Sequence, residues 1–225
     1  MGLAETLENS AYRVGGALIR PRMAFEIMKR EGAGPVLPLV LAALAHFSVG
    51  TSAFWAFLRA VPEPFRNFVP VLSSALYADF IAGGFCALAA LALILVLTLL
   101  VHATVGLMGG SGEFEDCLSA LAYANAPFAL VALSLLAGVY LPGAGFLGAL
   151  GLTLLTGALS FLWGLWVAVV GVSVAYEVST GKALIALLLV PLAVVMAVAA
   201  LGVWGIVLVV VLYLAAYVLR HRGVV

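Results

Sequence analysis

The sequence predicts an all-α protein: a polytopic transmembrane bundle of about six spans, with five as the alternative count, led by an N-terminal amphipathic helix at the membrane interface. Three observations predict it. Of 225 residues, 66% are hydrophobic and 9% charged, against roughly 25% charged in an average soluble domain, and the mean hydropathy is +1.27. The apolar residues gather in runs long enough to cross a hydrocarbon core, which takes about 20 residues of helix. Lys and Arg fall on alternate flanks of those runs. Ten basic and ten acidic residues cancel, so the charge balance points to no nucleic-acid partner and only the placement of charge informs.

Residues 1–34 read as a cytoplasmic N-terminal segment. Its start, "MGLAETLENSAYRVGGALIRPRM", lacks the basic opening and continuous apolar core of a signal peptide and is expected to stay on the mature chain. Within it, "RPRMAFEIMKRE" (20–31) places Pro21 in a first helical turn and sets Ala24, Phe25, Ile27 and Met28 against Arg22, Glu26, Lys29 and Arg30. Such a helix is expected on the membrane surface, apolar side at the acyl boundary and basic side toward anionic headgroups. Packing of the same face on the bundle is the alternative.

The transmembrane domain covers 35–219. Its apolar runs are 35–58, 80–108, 117–141, 146–176 and the tract 182–219. As one straight helix the last tract would measure roughly 57 Å, nearly twice the hydrocarbon thickness. It is therefore split at "LGVWG" (201–205), giving six spans and a tail at 220–225. With the N-terminus inside, Arg13, Arg20, Arg22, Lys29, Arg30, Lys182, Arg220 and Arg222 lie in the cytoplasm, and Arg59 and Arg66 outside. Five spans would put "RHR" (220–222) outside, so both termini are expected in the cytoplasm of a multi-pass cell-membrane protein.

Glu113, Glu115 and Asp116 concentrate acid in the turn between spans 2 and 3, just before a helix expected to start near Cys117. Acids at a helix N-terminus are stabilised by roughly 0.3–1 kcal/mol each, and Ser111 of "GGSG" offers a capping oxygen. A second expectation is that these acids meet Arg22, Lys29, Arg30 or Lys182 and lock the amphipathic helix to the bundle. No ligand spacing for calcium or zinc accompanies them, and no cofactor is implied. "GGSG" matches a G-x-S-G string of intramembrane serine proteases, but His46 and His102 precede it and His221 lies at the chain end, the wrong order for a base. No H-E-x-x-H, G-x-S-x-G or P-loop occurs. Cys86 and Cys117 read as small apolar-run residues without a redox message.

Inside the spans, His46 and His102 are the ionisable candidates, with Tyr123 and Asn125 near the helix breaker Pro127 as further polar candidates. A neutral His bonded to a neighbouring helix is the plainer reading of both. Pro191 predicts a second kink. Gly157, Gly164 and Gly171 recur every seven residues and form a stripe for close helix approach.

Three stretches in order, "LIRPRMAFEIMKRE", "GGSGEFEDCLSALAYANAPFAL" and "WVAVVGVSVAYEVSTGKALIALLLVPL", resemble the Yip1 domain family in its prokaryotic form over about residues 18–200. The family pattern is a basic Pro-aromatic leading helix, here Pro21 and Phe25; a Gly turn followed by Tyr-x-x-x-Pro, here Gly112, Tyr123 and Pro127; and a "GKA" segment, here Ser179, Thr180, Gly181, Lys182 and Ala183. The resemblance implies a multi-span, non-enzymatic membrane protein. Eukaryotic relatives are associated with vesicle trafficking, with small prenylated GTPases and with complexes among themselves; they carry a long hydrophilic N-terminal region that this sequence does not show.

The reading that follows is a membrane organiser or recruiter acting through a cytoplasmic face built from Arg22, Lys29, Arg30, Glu113, Glu115, Asp116 and Lys182. Its partners are membrane lipids, a protein at that face, and further copies of the chain. The alternative is a transporter or channel for a small solute, ion or lipid, with a path near His46, His102, Tyr123 and Asn125.

Overall fold

A computed structural model describes residues 12–60, 75–140, 146–189 and 192–193. All regular structure among them is helical: α1 at 12–19, α2 Pro21–Glu31, α3 Val36–Ala60, α4 Ala75–Leu107, α5 Phe114–Tyr123, a 3-10 turn Ala126–Phe128, α6 Ala129–Tyr140, α7 Phe146–Tyr176 and α8 Thr180–Leu189. Four segments are long and apolar enough to cross a membrane: Val36–Phe54, Asp79–Leu107, Phe114–Ala137 and Leu150–Tyr176. They match the first four runs expected from the sequence. Arg66, Pro191, the break at 201–205, His221 and the "RHR" tail lie outside the described residues, as do residues 1–11.

The spans expose apolar side chains such as Phe85, Leu88, Leu107 and Leu162 over most of their length, the arrangement of helices solvated by lipid. Their mutual contacts rely on small residues and interhelical hydrogen bonds, because burial supplies no hydrophobic gain over lipid. On α3 and α4, a Cβ at Gly50 would stand 2.7 Å from the Ala82 carbonyl and 2.9 Å from Cys86, and one at Gly83 would stand 2.8 Å from the Phe47 ring. Gly164 of α7 abuts the Ala124 carbonyl, and Gly171 abuts Ala120 and the Phe25 ring. The third member of the expected stripe, Gly157, has nothing within 4 Å of its Cβ position, so the stripe narrows to two glycines. α7 passes α5 closely only along its C-terminal half.

The third span breaks at Tyr123–Phe128, where Pro127 predicts a kink. Asn125 turns its backbone N–H to Ala122 (3.1 Å), and its side-chain amide takes over the Leu121 carbonyl (2.7 Å). Ser160 of α7 donates to the Pro127 carbonyl at 2.9 Å. Further along, Thr156 donates to the Ser134 hydroxyl at 2.8 Å. The break is thus sealed by a local amide and a cross-helix hydroxyl, as irregular backbone at membrane depth requires.

Gly164→Ala drives a methyl into a backbone carbonyl, and is expected to cost about 1–3 kcal/mol and lower the melting temperature in detergent. Gly157→Ala, with open space, is expected to be neutral or stabilising by up to about 1 kcal/mol. Thermal unfolding of the two variants side by side checks the pair.

Candidate functional site

Helix ends leave backbone carbonyls without intrahelical partners, and three helices stop at the same end of the bundle. α2 and α4 each end through a glycine in the left-handed region: Gly32 (φ 62) with Ala33 N–H reaching Met28, and Gly109 (φ 84) with Gly110 N–H reaching Val105. α7 ends in the same motif with Glu177 (φ 55) where glycine is usual, and Val178 N–H reaches Ser173 at 3.1 Å. A non-glycine residue there costs roughly 1–2 kcal/mol. The lysine of α2 offsets it.

Lys29 is the centre of this end. Its Nζ donates to the Ala175 carbonyl (3.1 Å), to the Val174 carbonyl (3.4 Å) and to Glu177 (2.9 Å). The Tyr176 carbonyl accepts from Ser111 N–H at 3.3 Å. Every carbonyl from Ser173 to Tyr176 therefore has a partner. Lys182 repeats the device, donating to the Met108 carbonyl at the end of α4 (2.9 Å). Cations at helix C-termini also oppose the negative pole of the dipole. α8 starts beside them with Ser179 as its cap: the Lys182 N–H lies 3.4 Å from Ser179 Oγ.

α2 docks on the bundle, the alternative weighed for it. Pro21, Ala24, Phe25 and Met28 are buried; Phe25 meets Tyr123 edge-on (centroids 6.1 Å apart) and fills the space left by Gly171. α1 folds back antiparallel to α2 through the Arg13–Glu31 pair (2.9 Å), and Trp163 of α7 donates to the Leu18 carbonyl (3.1 Å). α2 therefore lies along α7 and presents only its remaining flanks outward.

The acids begin a helix, at different positions from those expected. α5 starts at Phe114, with Glu113 at the N-cap and Glu115 and Asp116 in the first turn. Ser111 supplies no side-chain cap; its backbone closes the end of α7 instead, because a Cβ at Gly112 would collide with the Ala175 carbonyl and the close approach brings that loop onto Tyr176. Nor do the acids pair with Arg22, Arg30 or Lys182. Asp116 shares a void of about 20 Å³ with Lys29 and Phe25, while the ion pair locking α2 is Lys29–Glu177. Arg22 pairs with Glu26 on its own helix at 3.2 Å.

The four intramembrane candidates do not converge. His46 donates from Nδ1 to the Ala42 carbonyl (3.0 Å) and rests on Phe128. His102 is hydrogen-bonded to the Tyr176 hydroxyl and packs edge-on against Phe114. Tyr123 is taken up by Phe25, and Asn125 by Leu121. Tyr176, fully buried in the core cluster that also holds Cys117, packs α7 against α4 and α5. Sequence reasoning missed this knot, because a tyrosine at a span end reads as an interfacial aromatic.

One cleft opens on the outer side of the assembly. It encloses about 660 Å³ between α2 and the last turn of α7, with Arg22, Glu26, Lys29 and Arg30 on one wall and Ser173 and Glu177 on the other. Glu26, Ser173 and Glu177 were not among the sequence candidates. The available signal was the helical spacing of Arg22, Glu26, Lys29 and Arg30, which puts them on one flank of α2.

Compared with known families, the sequence matches the Yip1 domain model over residues 15–203. The chain belongs to the Yip1 domain family. That match spans α2, the 108–113 turn and α8 together with the four spans, so the Lys29 and Lys182 caps fall inside the Yip1 domain. No curated protein and no solved structure was found to match the chain.

Lys29→Met removes three contacts at once from the junction of the Yip1 domain with its leading helix. It is expected to raise hydrogen exchange in 21–33 by at least about fivefold, corresponding to ~1 kcal/mol of local stability. Lys182→Met is expected to affect the 104–110 segment and leave α2 unchanged.

Proposed function

We propose that this Yip1 domain protein is a non-enzymatic membrane organiser that recruits partners through the end of the bundle built from α2, the 108–116 turn and the start of α8, and that this end faces the cytoplasm. On this reading the chain comprises a cytoplasmic segment 1–34, a transmembrane domain 35–219 and a cytoplasmic tail 220–225. One observation carries the proposal: charge from three separated stretches of a nearly uncharged chain gathers at this end, and part of it stays exposed after the structural needs are met. Lys29 and Lys182 are engaged with carbonyls, whereas Arg22, Arg30, Glu113 and Glu115 point outward. Exposed charge of both signs sets partner choice and encounter rate more than affinity, which suits a docking face. The convergence of no polar groups at His46, His102, Tyr123 and Asn125 leaves the transport alternative without a supporting geometry.

A photo-crosslinking residue at the exposed Ser111 position, in the native membrane, is expected to yield a discrete adduct. Combined Glu113→Gln and Glu115→Gln should reduce its yield severalfold. Unchanged partner recovery in that variant would sink the recruitment reading. Orientation has its own check: with Cys86 and Cys117 replaced by Ala, Ser111→Cys should resist a membrane-impermeant maleimide in intact cells and react after permeabilisation. Labelling of intact cells would place this end outside.

A further inference from the structure

We infer that the cleft between α2 and the end of α7 binds the headgroup of an anionic phospholipid, with Arg22 and Arg30 holding its phosphodiester. The inference deepens the proposed role of this end and rests on its being the charged working face.

Depth comes first. The second wall of the cleft is the last turn of α7 and the residues after it, Ser173 to Val178, and the apolar span of that helix ends at Tyr176. The opening therefore lies where hydrocarbon gives way to headgroups. Its volume of about 660 Å³ falls within the roughly 300–1,000 Å³ of small-molecule sites.

Charge comes second. Three bases and two acids line the cleft. Lys29 is committed to Glu177 and two carbonyls, so it neutralises one acid and offers nothing further. Glu26 is met by Arg22 through Nε alone, which leaves the terminal amino groups of that guanidinium outward. Arg30 forms no ion pair among the described residues. The balance is one uncompensated positive charge together with planar donor groups on Arg22 and Arg30. A phosphodiester carries one negative charge and accepts guanidinium donors in pairs.

Placement comes third. Arg22 and Arg30 are eight residues apart, about 12 Å along the helix, on the flank of α2 that faces neither the buried side chains nor α1. Burial of Phe25 and Met28 and the Arg13–Glu31 pair hold the helix in that rotation. Arg20, by contrast, lines the groove between α1 and α2 on the opposite flank, with Met23 and Ile27. A basic helix lying freely on a membrane would use all its charges alike. Here docking separates Arg22 and Arg30 from Arg20.

Native mass spectrometry of the full chain, titrated with phosphatidylglycerol or phosphatidylcholine of matched acyl chains, tests the inference without any protein partner, so its failure leaves recruitment untouched. Phosphatidylglycerol is expected to bind at least about fivefold tighter than phosphatidylcholine. Arg22→Gln with Arg30→Gln should abolish that preference, and Arg20→Gln should keep it. Glu26→Gln, which removes a negative charge without deleting a donor, should strengthen phosphatidylglycerol binding and serves if the double variant fails to fold. Equal binding of the two lipids, an equal loss in Arg20→Gln, or no gain in Glu26→Gln would overturn the inference. Displacement of the lipid by millimolar inorganic phosphate would assign the site to a soluble anion instead and overturn it likewise.

Discussion

The end of α7 is the constraint around which the rest of the structure is arranged. A helix that stops at the edge of a membrane leaves its last carbonyls where water is scarce, and an unsatisfied polar group there costs several kcal/mol. Three segments answer that demand. Val178 turns back to Ser173, Lys29 reaches over from α2 to Val174 and Ala175, and Ser111 donates to Tyr176 from the loop after α4. Satisfying one helix end thereby fixes the position of α2, of the α4–α5 loop and of the start of α8.

Close approach makes those bonds reachable. Gly112 and Gly171 carry no Cβ where Ala175, Tyr176 and Phe25 press in, and Tyr176 of α7 bonds to His102 of α4 and shares the buried core with Cys117 of α5. In lipid, where apolar surface gains little from burial against another helix, small residues and specific hydrogen bonds do most of the association. The same logic explains why the hydroxyls of Ser134, Thr156 and Ser160 fall at helix contacts instead of along an open path.

The structural consequence is that charges that look alike in sequence end in different environments. Lys29 and Lys182 bond to helix-end carbonyls, whereas Arg22 and Arg30, on the wall of the same cleft as Lys29, stay exposed. The acids at 113–116 divide the same way. Glu113 and Glu115 are exposed at the start of α5, whereas Asp116 sits half-buried beside Lys29. Exposed charge and a structural latch thus occupy the same few turns, inside the Yip1 domain.

By itself the sequence determined the class of the protein, the positions of four spans, the amphipathic register of α2 and the helix break at Pro127. Each is a local property: hydropathy over about 20 residues, a 3.6-residue period, or a missing N–H. It also carried the family pattern, because Pro21, Phe25, Gly112, Tyr123 and Lys182 keep their order along the chain. Tertiary structure alone decided that α2 lies along α7, that Glu177 and not the acidic turn holds it, that Gly157 drops out of the glycine stripe, and that His102 belongs to Tyr176. Those outcomes depend on which helix faces which, and a helix solvated by lipid on most sides has little hydrophobic asymmetry to announce its partner. The partner is chosen by a few close contacts and by carbonyls that must find a donor, and such pairings join residues as far apart as Lys29 and Ala175.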